Sequence, residues 1–134
     1  MHAVIGWMHR TPRTVAILAC VIASVLLFVG AVAHITDLLH RGLHPYDWAP
    51  DWLHLYWSSL AVLDLLAAAL LLNGKRHGVD LACAIMTTDA AANWYAVYGI
   101  QHSDFLAQPS LQRLTAFALL VLGATPFLRK HLTN

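Results

Sequence analysis

The stretch TVAILACVIASVLLFVGAVA, residues 14–33, decides the fold, because it holds twenty consecutive residues without a charge. A helix rises about 1.5 Å per residue, so this length crosses a hydrocarbon core of about 30 Å. It is longer than the apolar part of a secretory signal, about 7–15 residues, and runs into His34 and Asp37 without a small-residue cleavage site. It therefore predicts a retained transmembrane helix, whether translation starts at Met1 or at Met8.

The composition of the whole chain agrees with a membrane protein. Of its 134 residues 59% are hydrophobic and 11% are charged, whereas a soluble domain is about 45–50% apolar and about 25% charged. The formal net charge of +1 excludes a basic nucleic-acid-binding surface. Cys20 and Cys83 both lie in apolar runs, which favours buried thiols over a disulfide. The length predicts a single domain over residues 1–134.

Three more apolar runs follow the first, separated by short segments that contain Gly and Pro. Asp64 interrupts the second run, and Asp80 and Asp89 interrupt the third. Helices joined by short loops pack as neighbours in an up-down bundle. The predicted fold is an all-α membrane protein with four transmembrane helices, at about residues 14–39, 52–72, 79–100 and 111–128.

The basic residues predict the orientation of this bundle. The N-terminus, the loop between the second and third spans and the C-terminus carry Arg10, Arg13, Lys75, Arg76, Arg129 and Lys130, whereas the other side has only Arg41 and Arg113. Lys and Arg concentrate in cytoplasmic loops, so both termini are predicted to be cytoplasmic. Short loops and spans rich in Ala and Leu favour a bacterial inner membrane as the location.

Asp64 and Asp89 are the most informative residues for function. They lie about 12 Å and about 15 Å from the cytoplasmic ends of the second and third spans, near the midplane. A carboxylate at that depth costs at least about 2.5–3.5 kcal/mol, so both are predicted to face the bundle interior. No Lys or Arg lies at their depth. One is therefore protonated, or the two share a proton, or a cation lies between them.

Other polar and aromatic groups extend this pair into a predicted ligand pocket. Asp89 and Asn93 lie four residues apart, on one helix face, and Trp94 and Tyr98 form a neighbouring ridge. The residues predicted to contact a ligand are Asn93, Trp94, Tyr98, Thr88, Ser59 and Trp57. The alternative is that these groups form interhelical hydrogen bonds that only hold the bundle together.

A second polar cluster lies at the outer end of the first span. His34, Asp37 and Arg41 share one helix face, and Arg41 is expected to favour the ionised form of Asp37. With Asp64 and Asp89, His34 and Asp37 complete the candidate catalytic residues. No established metal-binding motif is present. His34 and His54 are the only pair placed to ligate a haem iron, and we expect no cofactor.

Three segments carry a resemblance to a known family: AHITDLLHRGLHP (33–45), PDWLHLYWSSLAVLDLL (50–66) and MTTDAAANWYAVYG (86–99). In layout they resemble the EXPERA fold of the emopamil-binding sterol isomerases and the sigma-two receptor. The resemblance implies a ligand pocket lined by a His or an acid of the early spans and by an acid of the third span, roles that Asp37 and Asp89 match. Asp64 lies about one helical turn deeper than the second-span acid of the sigma-two type.

The sequence thus predicts a site for a lipophilic small molecule, cationic or sterol-like, that enters from the membrane lipid. If chemistry follows, it is proton transfer between two carboxyl groups, as in a double-bond isomerisation. One alternative is a non-catalytic subunit or assembly factor of a membrane complex, and another is a subunit that binds haem or metal through the outer histidines. Whether the chain forms a homodimer or is an enzyme is left open, and no nucleic-acid partner is expected.

Overall fold

The computed structural model describes residues 2–42 and 46–134, with side chains from residue 12 onward. Met1, one of the two predicted start residues, lies outside this range. The described residues form four α-helices, and a π-helical turn at Ala96–Ile100 extends the third. The helices are α1 (His2–Arg41), α2 (Asp51–Leu72), α3 (Arg76–Tyr95) and α4 (Pro109–His131). The all-helical class is therefore confirmed, and α1 begins at His2 rather than near residue 14.

Three of these helices are long and apolar enough to cross a membrane: Pro12–Arg41 within α1, Asp51–Leu72 and Pro109–His131. This indicates an integral membrane protein. The third predicted span corresponds to α3, which is not among the three. Its apolar stripe is interrupted by Thr87, Thr88, Asp89 and Asn93, and these polar residues lower its mean hydropathy.

Each helix packs against the next one in sequence, and α1 also contacts α4, so the four helices form a closed ring. Small side chains permit close approach, and Ala31 of α1 and Ala67 of α2 are fully buried. The buried side chains of Leu27, Leu60 and Val79 pack in the core between the helices. The outward side of α1 is also apolar, with Ile22, Val25, Phe28 and Val29 each more than half exposed, as suits a helix that faces lipid.

One end of the bundle is closed by a tie between the α2–α3 loop and the C-terminal residues. Lys75 and Thr133 form an isolated parallel β-bridge. The Arg76 backbone N–H donates to Thr133 O at 2.7 Å, and the Thr133 N–H donates to Gly74 O at 3.0 Å. The Arg76 side chain donates to the Arg129 carbonyl at 2.7 Å. Lys75, Arg76 and Arg129 therefore lie at the same end, and we call the opposite end the outer end.

Candidate functional site

A cavity of about 190 Å³ lies at the outer end of the bundle, between all four helices. Its position follows from the helix order, because the end of α1, the start of α2, the end of α3 and the start of α4 meet there. Polar and aromatic side chains dominate its wall. The lining residues are His34, Asp37 and Leu38 of α1, Tyr46 of the first loop, Trp57 and Ser58 of α2, Asp89 and Asn93 of α3, and Ser110 and Leu114 of α4.

Asp89 faces this cavity from α3, and its carboxyl group accepts a hydrogen bond from the same helix. Asn93, one turn further along, donates its side-chain amide to Asp89 Oδ1 at 2.8 Å. The Trp57 indole of α2 lies close enough to interact with the Asp89 carboxyl group across the helix interface. Asp89 is 9% exposed. Its carboxyl group is therefore fixed in orientation at the wall of the cavity.

Asp37 reaches the same cavity from α1 and is fixed by Tyr46. The Tyr46 hydroxyl donates to Asp37 Oδ2 at 2.9 Å. Burial raises the pKa of Tyr46, the hydrogen bond to Asp37 and the charge of Asp37 raise it further, and the charge of Arg41 opposes them. The phenol therefore stays protonated at neutral pH and keeps donating. His34 lies one turn before Asp37, close enough for the two groups to interact electrostatically.

Aromatic rings close the outer end above the two acids. The Tyr46 ring centre lies 5.4 Å from that of Trp48 and 5.6 Å from that of Trp57, which it meets edge-on. The Arg41 guanidinium lies 5.9 Å from the Tyr46 ring centre. We call Tyr46, Trp48, His54 and Trp57 the aromatic cap. It places aromatic surface directly beside the Asp37 and Asp89 carboxyl groups.

His54, one of the two residues considered for haem, belongs to this cap. Its ring stacks on Tyr46 with centres 6.3 Å apart, and its Nε2 lies 3.1 Å from Ala49 O. It does not line the cavity, whereas His34 does. Among the described residues, no group of three or more His, Cys, Asp or Glu side chains could hold a metal ion.

Asp64 is buried, but it does not line the cavity. It is 4% exposed, and its Oδ1 atom has no hydrogen-bond partner within the described part of the chain. Its carboxyl group lies against α1 at Gly30, where a Cβ atom would be only 2.9 Å from Asp64 Oδ2. It is close enough to Asp89 for their charges to interact. Asp64 therefore lies below the cavity, in the space that the missing Gly30 side chain leaves.

Two of the predicted ligand contacts, Trp94 and Tyr98, form a separate cluster outside the cavity. The Trp94 indole donates to Thr115 Oγ1 at 3.0 Å, and its ring stacks on Tyr98 with centres 5.4 Å apart. The Tyr98 hydroxyl accepts the Phe105 backbone N–H at 2.9 Å. Because Trp94 is one residue beyond Asn93, it is rotated by about 100° around the helix. The pair fastens the α3–α4 loop to α4.

Thr88 and Ser59, also predicted to contact a ligand, bind Tyr56 instead. The Thr88 hydroxyl lies 2.5 Å from the Tyr56 hydroxyl, and Ser59 donates to the Tyr56 carbonyl at 2.5 Å. Neither lines the cavity. Both hydrogen bonds join or stiffen the helices, as the alternative structural interpretation of such groups expects.

Three polar lining residues, Tyr46, Ser58 and Ser110, are absent from the predicted ligand contacts. Ser58 shares a helix face with His54, four residues earlier, which is a usable sequence signal. Ser110 lies beside the helix-starting Pro109 of α4, so its proximity to the outer end could also have been predicted. Tyr46 lies in a loop, where sequence periodicity does not indicate the direction in which a side chain points.

Comparisons of the chain with protein family models, with curated proteins and with solved structures find no match in any of the three. The resemblance to the EXPERA group therefore stays a prediction.

Proposed function

We propose that this protein is a four-span integral membrane protein that binds the cationic head of a lipophilic amine in the outer-end cavity. One observation carries the proposal: carboxyl groups of α1 and α3, Asp37 and Asp89, face a single cavity beside the rings of Tyr46 and Trp57. None of the described lining residues is Lys or Arg. Apart from His34, the described wall carries no basic side chain, and Arg41 lies over the Tyr46 ring rather than in the wall.

A protonated amine matches this wall better than a neutral or anionic ligand. Coulomb attraction is strong where water is scarce, and the faces of aromatic rings add a cation–π contribution of about 0.5–2 kcal/mol. A cavity of about 190 Å³ is smaller than the sites of about 300–1,000 Å³ that enclose drug-sized ligands. It therefore holds a head group, and the rest of the ligand extends beyond it.

The path of the chain supports α3 as the fourth span. The α2–α3 loop is at the tied end, whereas Pro109, where α4 begins, is at the outer end. If α2 and α4 both cross the membrane, α3 must return the chain across it. Its polar residues Asp89 and Asn93 face the cavity rather than lipid, which lowers the cost of that crossing.

We infer cytoplasmic termini from the six basic residues near the tied end. Labelling of single cysteines in intact cells tests this, in a variant without Cys20 and Cys83. His77→Cys in the α2–α3 segment should react with a membrane-impermeant maleimide only after lysis, and Leu106→Cys in the α3–α4 loop should react before it. The reverse pattern would overturn the orientation.

Binding of N,N-dimethylbutylamine, a short water-soluble tertiary amine, tests the proposed site. The protein in nanodiscs is dialysed against the labelled amine, and empty nanodiscs of the same lipid correct for partitioning. Asp37→Asn should weaken binding, because the neutral amide offers no charge to the ammonium. Asp47→Asn is the matched control. Asp47 is exposed in the loop between α1 and α2, near the outer end, and does not line the cavity.

The pH dependence gives a second test of the same site. A protonated carboxyl group has no charge to offer, so protons compete with the amine, and binding should weaken as pH falls while the amine itself stays charged. Equal binding by the wild type, Asp37→Asn and empty nanodiscs at every pH would contradict the proposed function.

Proton transfer within the same cavity is a second candidate, because titratable groups face it from opposite helices. His34 and Asp37 are on α1 and Asp89 is on α3. In a double-bond shift, one acid adds a proton to an alkene carbon and a base removes one from the neighbouring allylic carbon, whose electron pair forms the new double bond. Incorporation of deuterium from D₂O into an unsaturated lipophilic amine would demonstrate it, and binding without incorporation would leave only the first function.

A further inference from the structure

A second cavity, of about 280 Å³, lies nearer the tied end of the bundle and is apolar. Every described residue that lines it is hydrophobic. Ala19 and Ala23 of α1 and Ala124 of α4 contribute small side chains to its wall. Ile22 and Leu120 also line it and are 59% and 70% exposed. We call it the apolar cleft, and these exposed residues place its mouth at the lipid-facing seam between α1 and α4.

The apolar cleft and the outer-end cavity lie one after the other along the same seam. On α1, Ala23, Leu26, Gly30 and His34 follow one another at spacings of three and four residues, so they form one stripe. Leu26 lines the cleft and His34 lines the cavity, and the separation of eight positions corresponds to a rise of about 12 Å. On α4, Leu114 of the cavity and Phe117 of the cleft are less than one turn apart.

Gly30 marks the level between the two spaces. It has no side chain, and the Asp64 carboxyl group fills the adjoining space from α2. A ligand that occupied both spaces would therefore have to pass on the α4 side, by Leu114 and Phe117. A flexible alkyl chain can adapt to such a passage better than a rigid fused-ring body.

We propose that the ligand is a single-chain amphiphilic amine whose head lies at Asp37 and Asp89 and whose alkyl tail lies in the apolar cleft. This inference rests on the proposed function and names its ligand class. Two observations support it: the head cavity is too small for a whole lipophile, and the neighbouring space on the same seam is entirely apolar. The charged wall takes the ammonium and the uncharged wall takes the chain.

The test must separate tail binding from simple partitioning, because lipid tails are as apolar as the cleft. We therefore compare N,N-dimethyldodecylamine with N,N-dimethylbutylamine, both labelled, in protein nanodiscs against empty nanodiscs. The two amines share one head, and only the longer one can reach the apolar cleft. Binding is expressed per mole of amine in the bilayer, so that partitioning cancels.

Filling the cleft should affect only the long amine. Ala23→Leu places three more carbons in the cleft wall, and overfilling of this kind is expected to weaken dodecyl amine binding by about fivefold or more. Butyl amine binding should stay within about twofold, as for an unperturbed surface change. Ala124→Leu repeats the test from α4. The matched control is Ala69→Leu, because Ala69 is exposed on α2 and lines neither space.

Several outcomes would overturn the inference. If Ala23→Leu and Ala124→Leu leave the dodecyl amine unaffected, or weaken both amines equally, the cleft does not hold the tail. If dodecanol, which has the same chain without the amine, binds as well as the dodecyl amine, the cleft holds ordinary lipid chains independently of the head site. If the wild type binds the butyl amine, the proposed function stands whatever the outcome for the tail. If the wild type does not bind the butyl amine, the proposed function itself has failed.

Discussion

Asp89 and Asp64 both lie on buried faces of adjacent helices, yet their surroundings differ. Asp89 accepts a hydrogen bond from Asn93, lies beside the Trp57 indole and faces the outer-end cavity. Asp64 has one oxygen without a partner among the described residues, and its carboxyl group fills the gap beside Gly30. The same side chain on neighbouring spans thus has a polar, accessible environment in one case and a closed one in the other.

This difference distinguishes a cavity-lining role from a helix-packing role, whereas the sequence alone suggests one shared role for both acids. Asp89 accepts a hydrogen bond from Asn93 and faces the cavity, and buried polar groups with satisfied hydrogen bonds hold a fixed geometry. Asp64 does not line this cavity, and its carboxyl group packs against α1 at Gly30. Under the proposed function, amine binding therefore lies at Asp89 and Asp37, and Asp64 is expected to set helix spacing.

The largest expected effect is the loss of amine binding in Asp89→Asn. Removing one partner of a desolvated charge pair costs about 2–5 kcal/mol, which weakens binding about 30-fold or more. Asp64→Asn should change the affinity by less than about threefold, because Asp64 does not face the cavity. The dissociation constants of both variants for N,N-dimethylbutylamine check this, with circular dichroism to verify the helices. Equal losses in the two variants would remove the distinction between the acids.

Gly30→Ala should destabilise the bundle, because the new Cβ would lie 2.9 Å from Asp64 Oδ2. Overpacking of this size costs about 1–3 kcal/mol, and the higher helix propensity of Ala offsets about 0.5–1 kcal/mol of that cost. The free energy of unfolding in an SDS titration measures it. In the Asp64→Ala background the same substitution should cost much less, since its neighbour has been removed. A cost that is unchanged in that background would show that Asp64 does not set the α1–α2 spacing.

Trp57→Phe keeps an aromatic ring in the cap and removes the indole N–H that lies near the Asp89 carboxyl group. An unsatisfied buried acceptor costs about 1–3 kcal/mol, but Asn93 still donates, so we expect about 1 kcal/mol in the free energy of unfolding. Trp52→Phe, at an exposed position of the same helix, is the control. If both variants unfold alike, the indole contributes nothing to the geometry of Asp89.

The smallest expected effect concerns Trp94, which the sequence places in the pocket and the structure places outside it. Trp94→Phe loses the hydrogen bond to Thr115, worth about 0.5–1.5 kcal/mol. Amine affinity should change by less than about twofold. A larger loss of affinity, measured in the same nanodisc assay, would return Trp94 to the ligand site.

Much of the fold follows from the sequence, because apolar runs and short loops leave few arrangements. The predicted spans at 52–72 and 111–128 fall within Asp51–Leu72 and Pro109–His131. The third span could not be established in the same way. The polar residues that make α3 interesting, Asp89 and Asn93 above all, also weaken its hydropathy signal.

The candidate site could be predicted only in part. The burial of Asp64 and Asp89 follows from the free-energy cost of a carboxylate in lipid. The shared helix face of His34 and Asp37 follows from their spacing of three residues. Which acid meets open space depends on contacts between helices, and Asp64 packs against Gly30 of α1 instead of lining the cavity. Tyr46 could not be predicted to line the cavity, because the direction of a loop side chain depends on the residues against which it packs.

The tie at Thr133 also has a consequence for biogenesis. Residues 133 and 134 hold the loop that precedes α3, and they leave the ribosome after all four helices have been made. The hydrogen bonds that fasten the start of α3 to the C-terminal residues can therefore form only after α4 has been synthesised.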